Sequence, residues 1–168
     1  MIASLRGAAL LKGHRGAPPL VRIDPEPGIA PSGKPPVRIF MGTEPRQYRA
    51  ERIFVWSVLT HRDPARAYEI HLMKDLEGFD RYRWTTGFTN FRFTIPELAG
   101  RQGKAIYNDV DQIYLADPAE LFDRALDGHG ILAITEDETS VLLIDCAAMS
   151  RLWSLEDAKR IPKKAHYW

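Results

Sequence analysis

A single cysteine, Cys146, stands in the whole chain of 168 residues. That excludes an internal disulfide and fits a reducing compartment, so the sequence reads as cytoplasmic. The residue ends the run Val141-Leu142-Leu143-Ile144-Asp145-Cys146 and reads as core filler. Net charge is nearly absent too. With 23 basic and 22 acidic residues the balance is +1, too little to pull the chain onto nucleic acid or an acidic membrane from a distance. No apolar stretch reaches the roughly 18 to 20 residues that span a bilayer. The opening Met1 to Lys12 carries Arg6 inside its would-be apolar region and shows no clear cleavage site, so it reads as a short amphipathic arm and not as a signal peptide. Internal repeats are also missing.

With 45% hydrophobic and 27% charged residues, the composition is that of one ordinary globular domain with a real core. Seven of the twelve prolines (Pro18, Pro19, Pro25, Pro27, Pro31, Pro35, Pro36) fall between Gly13 and Pro36. Residues 1–36 therefore read as a proline-rich arm, poorly ordered or loosely attached, and residues 37–168 as the folded domain. Val37 to Met41, Tyr68 to Met73, Lys104 to Asn108, Ile131 to Thr135 and Val141 to Cys146 read as strands. Tyr48 to His61 reads as a helix, because Ala50, Ile53, Phe54, Ser57 and Val58 follow helical spacing and fourteen residues is long for a strand. Thr89 to Leu98 reads as a short helix. Asp117-Pro118-Ala119-Glu120 offers a capping aspartate, proline at the first helical position and glutamate three residues on, which predicts a helix through Phe122. Strands alternating with helices imply an α/β fold with a mostly parallel sheet, whose ligands gather at the carboxyl ends of the strands.

At one such end lies Lys104-Ala105-Ile106-Tyr107-Asn108-Asp109-Val110-Asp111. In an extended backbone the i, i+2 spacing of Asp109 and Asp111 puts both carboxylates on one side. Two hard oxygen donors there suit Mg²⁺ or Mn²⁺ and, through the ion, a diphosphate. A calcium loop of the EF-hand kind would use Asp109, Asp111 and Glu120, but Ile113 then fills a ligand position and Tyr114 stands where glycine must turn. A phosphatase of the haloacid dehalogenase type fits the Asp-x-Asp but meets Ile113 where threonine is expected.

A longer string is more specific. Thr89 to Leu98 with Arg92 and the ending Ile95-Pro96-Glu97-Leu98, the Tyr107-Asn108-Asp109-Val110-Asp111 strand end, and Leu121-Phe122 keep the order and spacing of family 8 glycosyltransferases, the glycogenin and bacterial lipopolysaccharide galactosyltransferase group, which this chain resembles from Val37 to about Leu143. The resemblance implies a GT-A (Rossmann-like) fold and transfer of a sugar from a nucleotide-diphosphate donor, UDP-sugar foremost, to an acceptor the sequence does not name. It implies Asp109 and Asp111 as ligands of Mn²⁺ or Mg²⁺, with Gly42, Thr43, Glu44, Arg92 and Val110 beside them around the nucleotide sugar. Glu136 is the implied acid at the sugar and is counted with Asp109 and Asp111 as catalytic. A family histidine that completes the metal shell maps onto His166, with Lys163 and Lys164 near phosphate.

The sequence departs from the family in Asn108, in Glu138-Thr139-Ser140-Val141, and in a C-terminal part that reads as shortened. A degenerate, non-catalytic domain that binds nucleotide sugar or a partner protein is therefore the alternative. Plainer readings accompany each residue: a surface salt bridge with Glu97 for Arg92, a loop acid for Glu136, a solvated turn for the aspartate pair, core positions for Trp56, Trp84 and Trp153, and surface or capping roles for His61, His71 and His129.

Overall fold

A computed structural model describes residues 7–11, 17–79 and 86–160 of the chain. In chain order its strands are β1 (Ala9–Leu11), β2 (Leu20–Ile23), β3 (Val37–Gly42), β4 (Tyr68–Met73), β5 (Lys104–Asp109), β6 (Ile131–Ala133) and β7 (Val141–Asp145). The helices are α1 (Tyr48–His61), α2 (Ile95–Leu98), α3 (Pro118–Phe122), α4 (Cys146–Met149) and α5 (Leu155–Arg160), with a 3₁₀ turn at Thr89–Thr94 leading into α2.

One seven-stranded sheet runs in the order β1-β2-β4-β3-β5-β7-β6. The α/β class follows the sequence pattern, but the sheet is mixed where a mostly parallel one was expected. Parallel pairing is confined to the centre, β4 with β3 and β3 with β5. The connection from β3 to β4 passes through α1, and such a crossover returns a strand in the same direction. β1 pairs antiparallel with β2, β2 with β4, β5 with β7 and β7 with β6, the last two strands being consecutive in the chain.

Both faces of the central strands are covered, which is why β3 reads as an almost unbroken apolar run. On one face Phe54, Val55 and Val58 of α1 pack against Val21, Ile23, Ile39, Ile70 and Ile106. On the other, Phe91, Ile95, Cys146 and Met149 cover Phe40, Tyr107 and Leu142. Burial pushes the Cys146 thiol up to about 11, so the lone cysteine is inert core filler, as its apolar run implied.

Two expectations need correction. Within the span read as an arm, Leu20–Ile23 is a strand hydrogen-bonded to β4, with Val21 and Ile23 wholly buried. Its alternating Leu-Val-Arg-Ile pattern buries one side. Trp56, expected inside, is 55% exposed, because it lies on the opposite side of α1 from Phe54 and Val58. Trp153 meets Phe93 edge-on with ring centroids 5.0 Å apart, and Trp84 lies outside the described residues.

Candidate functional site

β3 and β5 run parallel in a register that sets Gly42 opposite Asp109, so the carboxyl ends of the two central strands open on the same side. Asp109 is the last residue of β5. Its backbone N–H donates to Ser140 O at 2.8 Å, and the next N–H, of Val110, donates to Gly42 O at 3.0 Å. Beyond Asp109 the chain turns, so the strict alternation expected of Asp109 and Asp111 stops at the first of them. The Asp109 side chain is one-quarter exposed and Asp111 lies in the open turn.

Tyr107, two residues earlier on the same side of β5, donates its phenol to Asp109 Oδ1. Arg92 reaches the same oxygen at 3.5 Å with Nη2 and lies with its guanidinium carbon 4.4 Å from the centre of the Tyr107 ring. The rest of that guanidinium is used by the protein: Nε donates to Thr89 O at 2.9 Å, and Nη1 to Thr139 O at 2.7 Å and Thr139 Oγ1 at 2.6 Å. Arg92 therefore does not pair with Glu97, which takes Arg101 and the backbone of Leu155 instead. A side chain that is only 5% exposed, with its fork so engaged, fixes the Asp109 carboxylate and the Thr139 loop.

Burial raises the Asp109 carboxyl above the ordinary carboxylate range; Tyr107 and Arg92 draw it down, and the charges of Asp111 and Glu138 push it up. Three acids thus share one field. Glu138 is itself held low, first by the Ser140 hydroxyl and then by the Ser140 N–H, which its Oε1 accepts at 2.9 Å. All described contacts of the Asp109 side chain fall on Oδ1, which leaves Oδ2 for a ligand. Among the described residues no group of three or more His, Cys, Asp and Glu converges on one point as a metal shell. Mg²⁺ and its analogues are commonly held by one or two carboxylates with phosphate and water supplying the rest. The oxygen-only pair Asp109 and Asp111, in a field of like charge, fits that pattern. His166, Lys163 and Lys164 lie outside the described residues.

A cleft of about 200 Å³ opens beside the carboxyl ends of β3 and β4, lined by Thr43, Glu44, Arg46, Asp75, Gly87 and Phe91. Thr43 is buried and donates its hydroxyl to Glu51 at 3.0 Å. Glu51 in turn accepts Lys74 Nζ at 2.7 and 2.9 Å. Glu44 Oε1 accepts the Gly87 N–H at 2.6 Å. Gly42 is packed so closely that a Cβ there would stand 2.6 Å from a Phe88 ring carbon and would strike the Tyr107 hydroxyl. Val110 turns its side chain into the core and offers only backbone to the site. Glu136 stands in the exposed loop after β6, on the rim of a larger groove that also takes in Thr139. The structure thus gathers Gly42, Arg92, Asp109, Val110 and Asp111 around two strand ends, sets Thr43 and Glu44 in the adjoining cleft, and leaves Glu136 at the margin.

Tyr107, Glu138, Thr139 and Asp75 were not singled out as site residues from the sequence. For Tyr107 a signal existed, since i, i+2 on a strand shares a side with Asp109. Asn108, read as a break in the apolar lead-in, is buried and accepts the Tyr114 phenol at 2.6 Å, which steadies the turn after β5.

No family model matches the chain. Over 115 residues it is 32% identical to Protein CDI of Arabidopsis thaliana, a stretch that takes in 64% of this chain and 44% of that protein. The chain therefore spans less than half of that relative's length. Among solved structures it is similar to the apo form of the bifunctional glycosyltransferase WbbM, with a TM-score of 0.56 and 14% identity over 73% of this chain and 34% of that one. It is similar also to apo glycosyltransferase GlyE of Streptococcus pneumoniae TIGR4, with a TM-score of 0.52 and 17% identity over 70% of this chain and 36% of that one. At such identities the likeness is one of fold: the chain has an α/β architecture similar to that of glycosyltransferase structures.

Proposed function

We propose that the chain is the donor-binding part of a metal-dependent glycosyltransferase that takes its sugar from a nucleotide diphosphate, with a UDP-sugar as the first candidate. The observation that carries the reading is the pair Asp109 and Asp111 at the carboxyl end of the central strand β5, beside the end of β3, in a fold similar to that of glycosyltransferases. Ligands of open α/β sheets sit at such strand ends. When bound, Mn²⁺ or Mg²⁺ supplies Lewis-acid neutralisation of the departing diphosphate. Asp109 and Asp111 would hold it. Arg92 and Tyr107 hold the Asp109 carboxylate through Oδ1, and Oδ2 would be the oxygen offered to the ion. The cleft bounded by Thr43, Glu44 and Asp75 receives the nucleoside end.

Thermal melting with UDP, UDP-glucose, UDP-galactose and GDP-sugars, with and without Mn²⁺, tests the donor site. The expected result is a rise in Tm that needs nucleotide and Mn²⁺ together and disappears in Asp111→Asn. Equal melting curves under all conditions would remove the proposal. A second reading, a domain that binds nucleotide sugar without turning it over, is favoured by one observation: among the described residues no group of three or more His, Cys, Asp and Glu gathers as a metal shell. Release of UDP from the donor, followed over time in the presence of Mn²⁺, separates the two, because the binder shows the melting shift and no release.

A further inference from the structure

α1 turns its one acid inward. Glu51 is 2% exposed and paired with Lys74, so the outer side of the helix and the turn before it carry cations only: Arg46, Arg49 and Arg52. Among the described residues no carboxylate pairs with any of these three. Between them Ile53 and Trp56, each 55% exposed, stand as an apolar ridge, and with Arg49 and Arg52 they border a shallow hollow of about 490 Å³. Exposed tryptophan beside arginine is the composition of energetic centres in protein interfaces.

The other edge of the sheet carries the opposite design. Among the described residues β6 pairs only with β7, so no described strand lies on its far side. Along it runs a trough of about 820 Å³, floored by Ile131, Leu132, Ala133 and Leu142 and rimmed by Glu136 and Asp137. Among the described residues neither acid has a salt-bridge partner. One surface is an apolar ridge flanked by two cations, of which Arg49 bonds only the neutral Tyr48 hydroxyl among the described residues, and the other is an apolar trough flanked by two anions with no described salt bridge. α1 lies over the half of the sheet that holds β2, β4 and β3, while the trough lies beyond β7 at the opposite edge. A molecule cannot bring its own ridge to its own trough.

We propose that the occupant of the trough is a second copy of this chain: the Ile53 and Trp56 ridge of one copy seats on Ile131, Leu132 and Ala133 of the next, with Arg49 and Arg52 against Glu136 and Asp137. The contact joins two different surfaces, so it is head-to-tail, and it propagates into chains or closes into a ring according to the rotation between copies. The patches are small, so the association is weak and dynamic, and its charged rim makes it sensitive to salt.

The test measures the weight-average mass of the full chain by sedimentation equilibrium, from about 1 to 1,000 μM, the range suited to an interface of less than standard area. At low salt the mass should climb above the single-chain 19.1 kDa, and it should fall back as salt is raised. Reversing the basic ridge (Arg49→Glu with Arg52→Glu) and reversing the acidic rim (Glu136→Lys with Asp137→Lys) should each give a monomer, since each then sets like charges face to face. Mixing the two reversed proteins should restore association, because ridge and trough are again of opposite sign. Restoration shows that both are folded, as does an unchanged far-ultraviolet spectrum, so the loss is not one of structure. Wild type that stays monomeric throughout overturns the proposal. So does a reversed variant that associates like wild type, or a wild type that stays monomeric and instead sediments with vesicles of phosphatidylserine, which would give the ridge to a lipid surface.

Discussion

Gly42 shows how closely the site is built. Its φ is not in the left-handed region, so the demand for glycine is one of space: Phe88 and the Tyr107 hydroxyl occupy the volume any Cβ would need. Both neighbours bear on the proposed site, since Tyr107 bonds Asp109 and Phe88 belongs to the core cluster that also holds Phe91 of the cleft. Gly42→Ala is expected to cost about 1–3 kcal/mol through overpacking and to weaken the Mn²⁺-dependent nucleotide shift by displacing Tyr107. Urea denaturation with and without UDP and Mn²⁺ checks both effects; a fully stable variant with an intact shift would show that Tyr107 has room to move. At this scale the sequence was informative about residue type and poor about partners. Asp109 and Asp111 could be picked out from their place after an apolar run. That Arg92 would spend its fork on Thr89, Thr139 and Tyr107 could not, because those contacts join the turn before α2, β5 and the loop before β7, and no periodicity encodes them.

Elements were legible where a periodic apolar pattern ran long enough to stand out. α1 has the bounds its pattern predicts, Tyr48–His61, and β3, β4, β5 and β7 each coincide with an apolar run. The same helical period that buries Phe54 and Val58 turns Trp56 outward, so the tryptophan's exposure was in the sequence and was masked by its hydrophobicity. β2 was hidden for another reason: four residues between proline-rich stretches give too short an alternation to outweigh their surroundings. Proline is tolerated just before such a strand because no N–H is asked of it there: Pro19 supplies only its carbonyl, to the Leu72 N–H at 2.8 Å. Its place in the sheet has a measurable consequence. Ile23 is wholly buried against the α1 side of the core, so Ile23→Ala should lower unfolding stability by about 2–4 kcal/mol. A loss below about 0.5 kcal/mol, the size of a surface substitution, would mean that the segment rests on the fold without belonging to it.

For the molecule as a whole, part of the acid stability is expected to rest on one base, His71, which the sequence reading puts on the surface or at a cap and the fold half-buries in β4. His71 on β4 stacks on Phe40 with ring centroids 4.3 Å apart. Burial, with the nearby positive charge of Arg38, lowers its pKa from 6.5 to about 4. The unfolded chain therefore takes up this proton at a higher pH than the folded one. The stability involved is fully present above pH 6.5 and is lost as the pH falls towards 4, by roughly 3 kcal/mol in all. Denaturation midpoints measured across that window should fall with pH in the wild type and fall less in His71→Phe, which keeps the stack and has no proton to gain. Identical slopes would place the acid sensitivity elsewhere.

The segment that carries Asp111 is fastened along its length. Val110 is tied to Gly42, Tyr114 bonds both the Ser57 hydroxyl and Asn108, and Asp117 accepts the Asp63 N–H and the Tyr68 phenol while capping α3 through Ala119. A loop so anchored surrendered most of its conformational entropy when the protein folded. Little ordering of that backbone is left to oppose capture of a ligand, so under the proposed function Asp111 would approach a cation from a main chain already set in place.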